Sequence, residues 1–149
     1  MATIHLPSDF KEFLQLLHSN QVEYLLVGGY AVGYYGYPRA TADIDIWVAI
    51  RPQNAQRVVN TLREFGFNMP ELTTGLFLQE EQIIRMGVPP IRIEILTTIS
   101  GVDFEECYQE KNTAVLDGVE VNLISLHHLK INKKASGRYK DLNDLENLE

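Results

Sequence analysis

Val27-Gly28-Gly29-Tyr30-Ala31, followed by Pro38-Arg39-Ala40-Thr41-Ala42-Asp43-Ile44-Asp45-Ile46, is the stretch on which the reading of this chain turns. Tyr24, Leu25, Leu26 and Val27 precede the glycines and predict a short, fully buried strand over 23–27. Gly28 and Gly29 break it, and residues 30–37, rich in Gly and Tyr, read as a short helix or helical turn. A second strand over 43–50 alternates, with Ile44, Ile46 and Val48 on one face and Asp43, Asp45 and Trp47 on the other. Asp43 and Asp45 then share a face with Cα atoms roughly 7 Å apart. Two carboxylates so placed oppose each other's ionisation unless cations intervene. Mg²⁺ is held by a few carboxylates together with phosphate oxygens, so the pair reads as a two-metal cradle. Glycines before a helix let the backbone approach a ligand, and N–H groups at the helix start suit a triphosphate. By itself Asp-x-Asp reads first as a solvated strand edge; the glycines and Arg39-x-Thr41 turn the reading towards metal.

Outward from there the chain alternates helices and strands without repeats or long linkers. Pro7, Ser8 and Asp9 open a helix ending near Asn20, with Phe10, Phe13, Leu14 and Leu17 as its buried stripe. Pro52 starts another, striped by Ala55, Val58, Val59, Leu62 and Phe65 and stopped at Gly66. Residues 76–87 and 91–97 read as strands around Gly87-Val88-Pro89-Pro90; in the second, Ile91, Ile93 and Ile95 oppose Arg92, Glu94 and Leu96. Asp103 caps a helix through Tyr108, with Glu106 completing a capping box. Asp117-Gly118 joins strands 113–116 and 119–123 as a hairpin. Ser125 opens a helix to about Ala135, and a last helix follows Gly137 from about Tyr139. The fold class is α+β, a small mixed sheet flanked by helices. Residues 1–149 form a single domain, with 125–149 a C-terminal helical segment packing on it.

Composition bounds the function. The 149 residues are 45% hydrophobic and 22% charged, enough for one core without staples. Thirteen basic against 20 acidic residues give a net charge of -7, which argues against a surface devoted to nucleic acid. One cysteine excludes a disulfide framework and a Cys-rich zinc site. No apolar run nears the ~20 residues of a membrane span. The start of the chain does not read as a secretion signal, and a cytoplasmic location without membrane contact is expected.

Gly28-Gly29, Asp43-x-Asp45 and a third acid, Glu94, on a later strand resemble the nucleotidyltransferase superfamily with the DNA polymerase β-like fold. Arg39-x-Thr41 before the acids resembles small bacterial proteins related to abortive-infection (AbiEii-like) nucleotidyltransferase toxins. The tail Lys133-Lys134-Ala135-Ser136-Gly137-Arg138-x-Lys140-Asp141-x-x-Asp144 is similar to theirs. The resemblance spans nearly the whole chain, most clearly 24–48 and 125–145. It implies transfer of an NMP from an NTP to an acceptor hydroxyl with release of pyrophosphate. Asp43, Asp45 and Glu94 would be catalytic and would hold two Mg²⁺ ions, or Mn²⁺ in their place. Gly28, Gly29, Arg39, Thr41, Lys134 and Arg138 would bind the nucleotide. The acceptor is left open between tRNA, a small-molecule alcohol and a protein side chain, and a toxin–antitoxin partner is implied. The rival reading is a non-catalytic module that binds a nucleotide or a partner on a degenerate site.

Other signals are weaker. The glycines at 29, 33 and 36 do not have the dinucleotide spacing, and no P-loop occurs. Glu94 has a plain alternative, a surface pair with Arg92. Five of the thirteen basic residues fall between Lys130 and Lys140, as a phosphate clamp or as a solvated face balanced by Asp141, Asp144 and Glu146. His127 and His128 read as ordinary helix residues, because adjacent positions point apart. Cys107 reads as a small core residue. Tyr30, Tyr34, Tyr35 and Tyr37 either pack the core or stack on a base.

Overall fold

The computed structural model describes residues 4–37, 41–88 and 90–148. The elements in chain order are α1 (Ser8–Ser19), β1 (Tyr24–Val27), α2 (Gly28–Tyr34), β2 (Asp43–Val48), α3 (Pro52–Phe65), β3 (Ile83–Val88), β4 (Ile91–Leu96), α4 (Phe104–Gln109), β5 (Asn112–Leu116), β6 (Val119–Leu123), α5 (Leu126–Ser136) and α6 (Tyr139–Asn147). The strands form a six-stranded mixed sheet in the order β3-β4-β2-β1-β6-β5. β1 runs antiparallel to β2 and parallel to β6, and β2 runs parallel to β4. Hairpins β3–β4 and β5–β6 finish the two ends.

The alternation of β2 decides the layering. Ile44, Ile46 and Val48 are fully buried on one face, with Ile93 and Ile95 of β4 buried beside them. All four residues of β1 are buried, as its apolar run demands of an interior strand. Phe10, Phe13, Leu14 and Leu17 on α1 and Ala55, Val58, Val59 and Leu62 on α3 fill the same core. Buried Asn54 ties α3 to the sheet: its Oδ1 accepts from Glu23 N–H at 2.7 Å, and its Nδ2 donates to the carbonyls of Glu23 and Ala49. Those bonds satisfy backbone groups that the short β1 and β2 leave open. Tyr24 hydroxyl bridges α1 and β6, 3.0 Å from His18 Nε2 and accepting from Asn122 N–H at 3.1 Å.

Local chemistry explains most boundaries. Asp117 and Gly118 both take positive φ, 49° and 83°, as a two-residue hairpin turn requires. Asp103 and Ser125 cap α4 and α5 by accepting from Glu106 and His128 N–H. Two expectations change. The strand predicted over 76–87 is a 3-10 helix at Thr74–Leu78 followed by β3 alone, with Glu81 at φ 60° in the turn between them. Phe77 alone in that helix is buried, so the run Leu76-Phe77-Leu78 is a plug and not a ladder. The helix expected from residue 30 begins at Gly28. Among the described residues no helix is long and apolar enough to cross a membrane.

Candidate active site

β2 and β4 are adjacent and parallel, with Asp43 opposite Arg92 and Asp45 opposite Glu94. Aligned residues of neighbouring strands share a face. The three predicted acids therefore line one cavity of about 520 Å³, together with Val27, Gly28, Gly29, Thr41, Lys133, Arg138 and Lys140. Gly28 has φ +70°, and a Cβ there would collide with the Asp45 carboxylate. Only glycine accommodates both that φ and that contact. Thr41 Oγ1 donates to the carbonyl of Asp43 at 3.2 Å and fixes the entry to β2. Arg39 lies outside the described residues.

The acids differ in environment. Both Asp43 oxygens accept from Arg92, Nε and Nη2, each at 2.9 Å. That bidentate guanidinium holds the Asp43 carboxyl below the usual range. Glu94 accepts from Arg85 Nε at 2.8 Å across the β3–β4 ladder. The pairing of Glu94 with Arg92 weighed from sequence is thus replaced by two cross-strand pairs. Burial first, then the adjoining Glu94 carboxyl and the charge of Asp43, push Asp45 up to about 8, with Lys140 pulling the other way. Asp45 Oδ1 is buried with no hydrogen-bond partner. Buried carboxylate oxygens are rarely left so, and one at the centre of three acids fits a divalent cation.

The basic side comes from α5 and α6. Lys133, buried, places Nζ 3.1 Å from both Asp141 Oδ1 and Asp144 Oδ2. Arg138 Nε donates to Asp141 Oδ2 at 2.7 Å, and Ser136 hydroxyl donates to the same oxygen at 2.5 Å. Burial alone would raise Asp141, but the bonds from Arg138, Ser136 and Lys133 outweigh it and hold it far below the usual range. Arg138 stays largely exposed at the cavity mouth, and Lys140 lines it. Lys134 is exposed and does not line the cavity. Its neighbour Lys133 does, and helical phase was the available signal: Leu129, Lys133 and Ser136 fall on one face of α5. Arg85, Arg92, Lys140 and Asp141 were also missed, because cross-strand and interhelical partners set their roles.

Tyr30, Tyr35, Tyr37, Trp47 and Cys107, also singled out from sequence, are structural. Tyr30 is buried against Phe10, Tyr35 hydroxyl donates to the Ile124 carbonyl at 2.6 Å, and Tyr37 hydroxyl accepts from Asn143. Trp47 is buried, donates to the Thr97 carbonyl and packs edge-on against Phe104. Cys107 is buried, and burial pushes its thiol up to about 12.

A sequence profile of the family described as aminoglycoside-2''-adenylyltransferase matches residues 9–148. No curated protein matches the chain in sequence. Eight solved chains match in structure. One, assigned as a nucleotidyltransferase from Thermotoga maritima, is 15% identical with a TM-score of 0.60, over 92% of this chain and 88% of that one. The lincosamide antibiotic adenylyltransferase LnuA, solved with lincomycin bound, is 16% identical with a TM-score of 0.58, over 97% of each chain. An antigenic nucleotidyltransferase-like protein from Paracoccidioides brasiliensis is 18% identical with a TM-score of 0.54, over 94% of this chain and 75% of that one.

Proposed function

The chain belongs to the aminoglycoside-2''-adenylyltransferase family, and from that premise we propose that its nucleotidyl transfer is carried by Asp43, Asp45 and Glu94. The donor is an NTP, and the acceptor is a hydroxyl of a small, amine-bearing molecule. The observation that carries the reading is the shared cavity of the three acids, with Gly28 pressed on Asp45 and one Asp45 oxygen unpartnered.

Asp43, Asp45 and Glu94 would hold Mg²⁺ or Mn²⁺, which when bound supplies positive charge to the triphosphate and polarises its oxygens. The remaining work belongs to the chain. Asp45 would serve as a ligand in its ionised form, since a carboxylate ligates only without its proton. The missing Cβ of Gly28 leaves room for the Asp45 carboxylate, and Gly29 brings bare backbone to the cavity that would take the phosphates. Arg138 and Lys140 neutralise charge at the cavity mouth. Glu94 Oε accepts the proton of the acceptor hydroxyl as its oxygen bonds to the α-phosphorus; the bond to the β-phosphate oxygen breaks and pyrophosphate departs. Positioning and fixed charge supply most of the acceleration.

The choice of acceptor rests on an adjoining cavity of about 590 Å³. It shares Thr98, Ile99 and Ser100 with the first and adds Glu80, Glu81, Asp103 and Glu105 beside Trp47 and Phe104. Such a rim repels a phosphodiester backbone and attracts ammonium groups. A net charge of -7 acts in the same sense. The test incubates the protein with each α-³²P-labelled NTP and Mg²⁺, and separately with an aminoglycoside panel, a lincosamide panel, total tRNA and total protein. Label on a small amine-bearing alcohol, absent with Asp45→Asn, is expected. Label on tRNA or on protein would overturn the acceptor assignment, and no label in any arm would overturn the site assignment.

A further inference from the structure

We propose that Glu106, Glu110 and His128 form a second metal site, suited to Zn²⁺, that clips α4 to the first turn of α5. None of the three lines the cavity of Asp43, Asp45 and Glu94. Glu106 on α4 and Glu110, the residue that caps its C-terminus, stand one turn apart with exposed carboxylates, and His128 reaches them from α5 with its side chain 3% exposed. His128 Nε2 faces Glu106 Oε1 at 3.6 Å and Glu110 Oε2 at 3.7 Å, too far to hydrogen-bond with either. A ring nitrogen of a buried side chain thus stands between two carboxylates, beyond hydrogen-bond distance of either.

The other ring nitrogen is already fixed. His128 Nδ1 lies 3.0 Å from Ser125 Oγ, which also accepts from His128 N–H at 3.2 Å. In the tautomer whose Nδ1–H donates to that hydroxyl, Nε2 carries the lone pair that a metal requires, the usual arrangement of a ligating histidine. The three ligand atoms lie within 4.8 Å of one another. Tetrahedral Zn²⁺ with bonds of about 2.0–2.2 Å separates its ligand atoms by roughly 3.3–3.6 Å, so small adjustments close the site. One imidazole with two carboxylates suits Zn²⁺, whereas Mg²⁺ favours all-oxygen shells. Three protein ligands leave one position to solvent. A cation here also relieves two like charges four residues apart at the C-terminal end of α4. Because α5 carries Lys133 and Ser136 to the catalytic cavity, the clip would set that helix from its N-terminal end.

The test uses the whole chain, stripped with chelator and titrated with Zn²⁺ in excess Mg²⁺ by calorimetry, with Co²⁺ as the spectroscopic probe. Wild type and Asp45→Asn should each bind Zn²⁺ at this site and show the intense visible bands of tetrahedral Co²⁺. His128→Gln should weaken Zn²⁺ at least tenfold, and Glu106→Gln with Glu110→Gln should abolish both the binding and the bands. The double variant changes exposed side chains only, so it decides the matter even if His128→Gln fails to fold. No Zn²⁺ binding by wild type, or equal binding by the double variant, would overturn the site and leave a histidine beside two glutamates.

Discussion

Replacing Asp45 with asparagine should stabilise the metal-free protein while abolishing turnover. The carboxyl moves from 3.8 to about 8 on folding, chiefly through burial. The folded chain therefore binds the Asp45 proton more tightly than the unfolded chain. The associated stability is fully present below pH 3.8 and is lost as pH climbs through about 8. Each pH unit in that window costs about 1.4 kcal/mol, which for Asp45 titrating by itself sums to about 6 kcal/mol. An asparagine amide buried in the same place loses water without gaining a full set of partners, so recovery of roughly half, 2–3 kcal/mol at pH 8, is expected. In a chain of this size that raises Tm by roughly 4–12 °C. Urea denaturation of both proteins in EDTA, at pH 5, 6, 7 and 8, is the assay. The gap should widen steadily with pH and narrow when Mg²⁺ is added, because a cation stabilises the ionised wild-type site. Parallel pH profiles for the two proteins would refute the argument, since they would mean that Asp45 is ionised in the fold without cost.

Gly28→Ala adds a Cβ against Asp45 at a positive φ, and should cost about 1–3 kcal/mol of stability by urea denaturation and reduce kcat by two orders of magnitude or more. Lys133→Met leaves Asp141 and Asp144 buried without its ammonium, and a loss of about 3–5 kcal/mol is expected by thermal denaturation. Lys134→Ala removes an exposed side chain away from the cavity; stability should hold within about 0.5 kcal/mol and kcat/KM should be unchanged, where a large fall in kcat/KM would return Lys134 to the phosphate site.

The acid side of the site was legible because it obeys a period of two. Asp43 and Asp45 interrupt an apolar strand at alternate positions, and Glu94 does the same on β4, so the faces could be read without knowing the partners. The ion pairs could not. Arg92 and Glu94 are two residues apart on one polar face and look like each other's counter-ions. The parallel register instead sets Arg92 beside Asp43, while antiparallel β3 brings Arg85 to Glu94. Register between strands some fifty residues apart leaves no local trace. The basic side failed for a different reason. Lys133 and Lys134 are chemically alike, and the phase that sets Lys133 below Leu129 on the inner face of α5 was the one sign that told them apart. Residues 76–82 misled through composition, since an apolar triplet serves a strand or a one-turn plug equally well.

The position of β2 has a consequence for which parts of the centre can move. Its amides and carbonyls are engaged on both sides, by β1 and by β4, and hairpins cap the sheet beyond them. Amide hydrogens at residues 44–47 should exchange with solvent only through opening of the whole sheet, and so on the slowest timescale the molecule offers. Arg138 and Lys140 instead sit at the start of α6, which is fastened to α5 through Asp141 and Asp144 on buried Lys133. Deuterium uptake would therefore divide the centre in two: carboxylates mounted on a ladder that opens only with the sheet, and cations on a helix that opens when the Lys133 network parts.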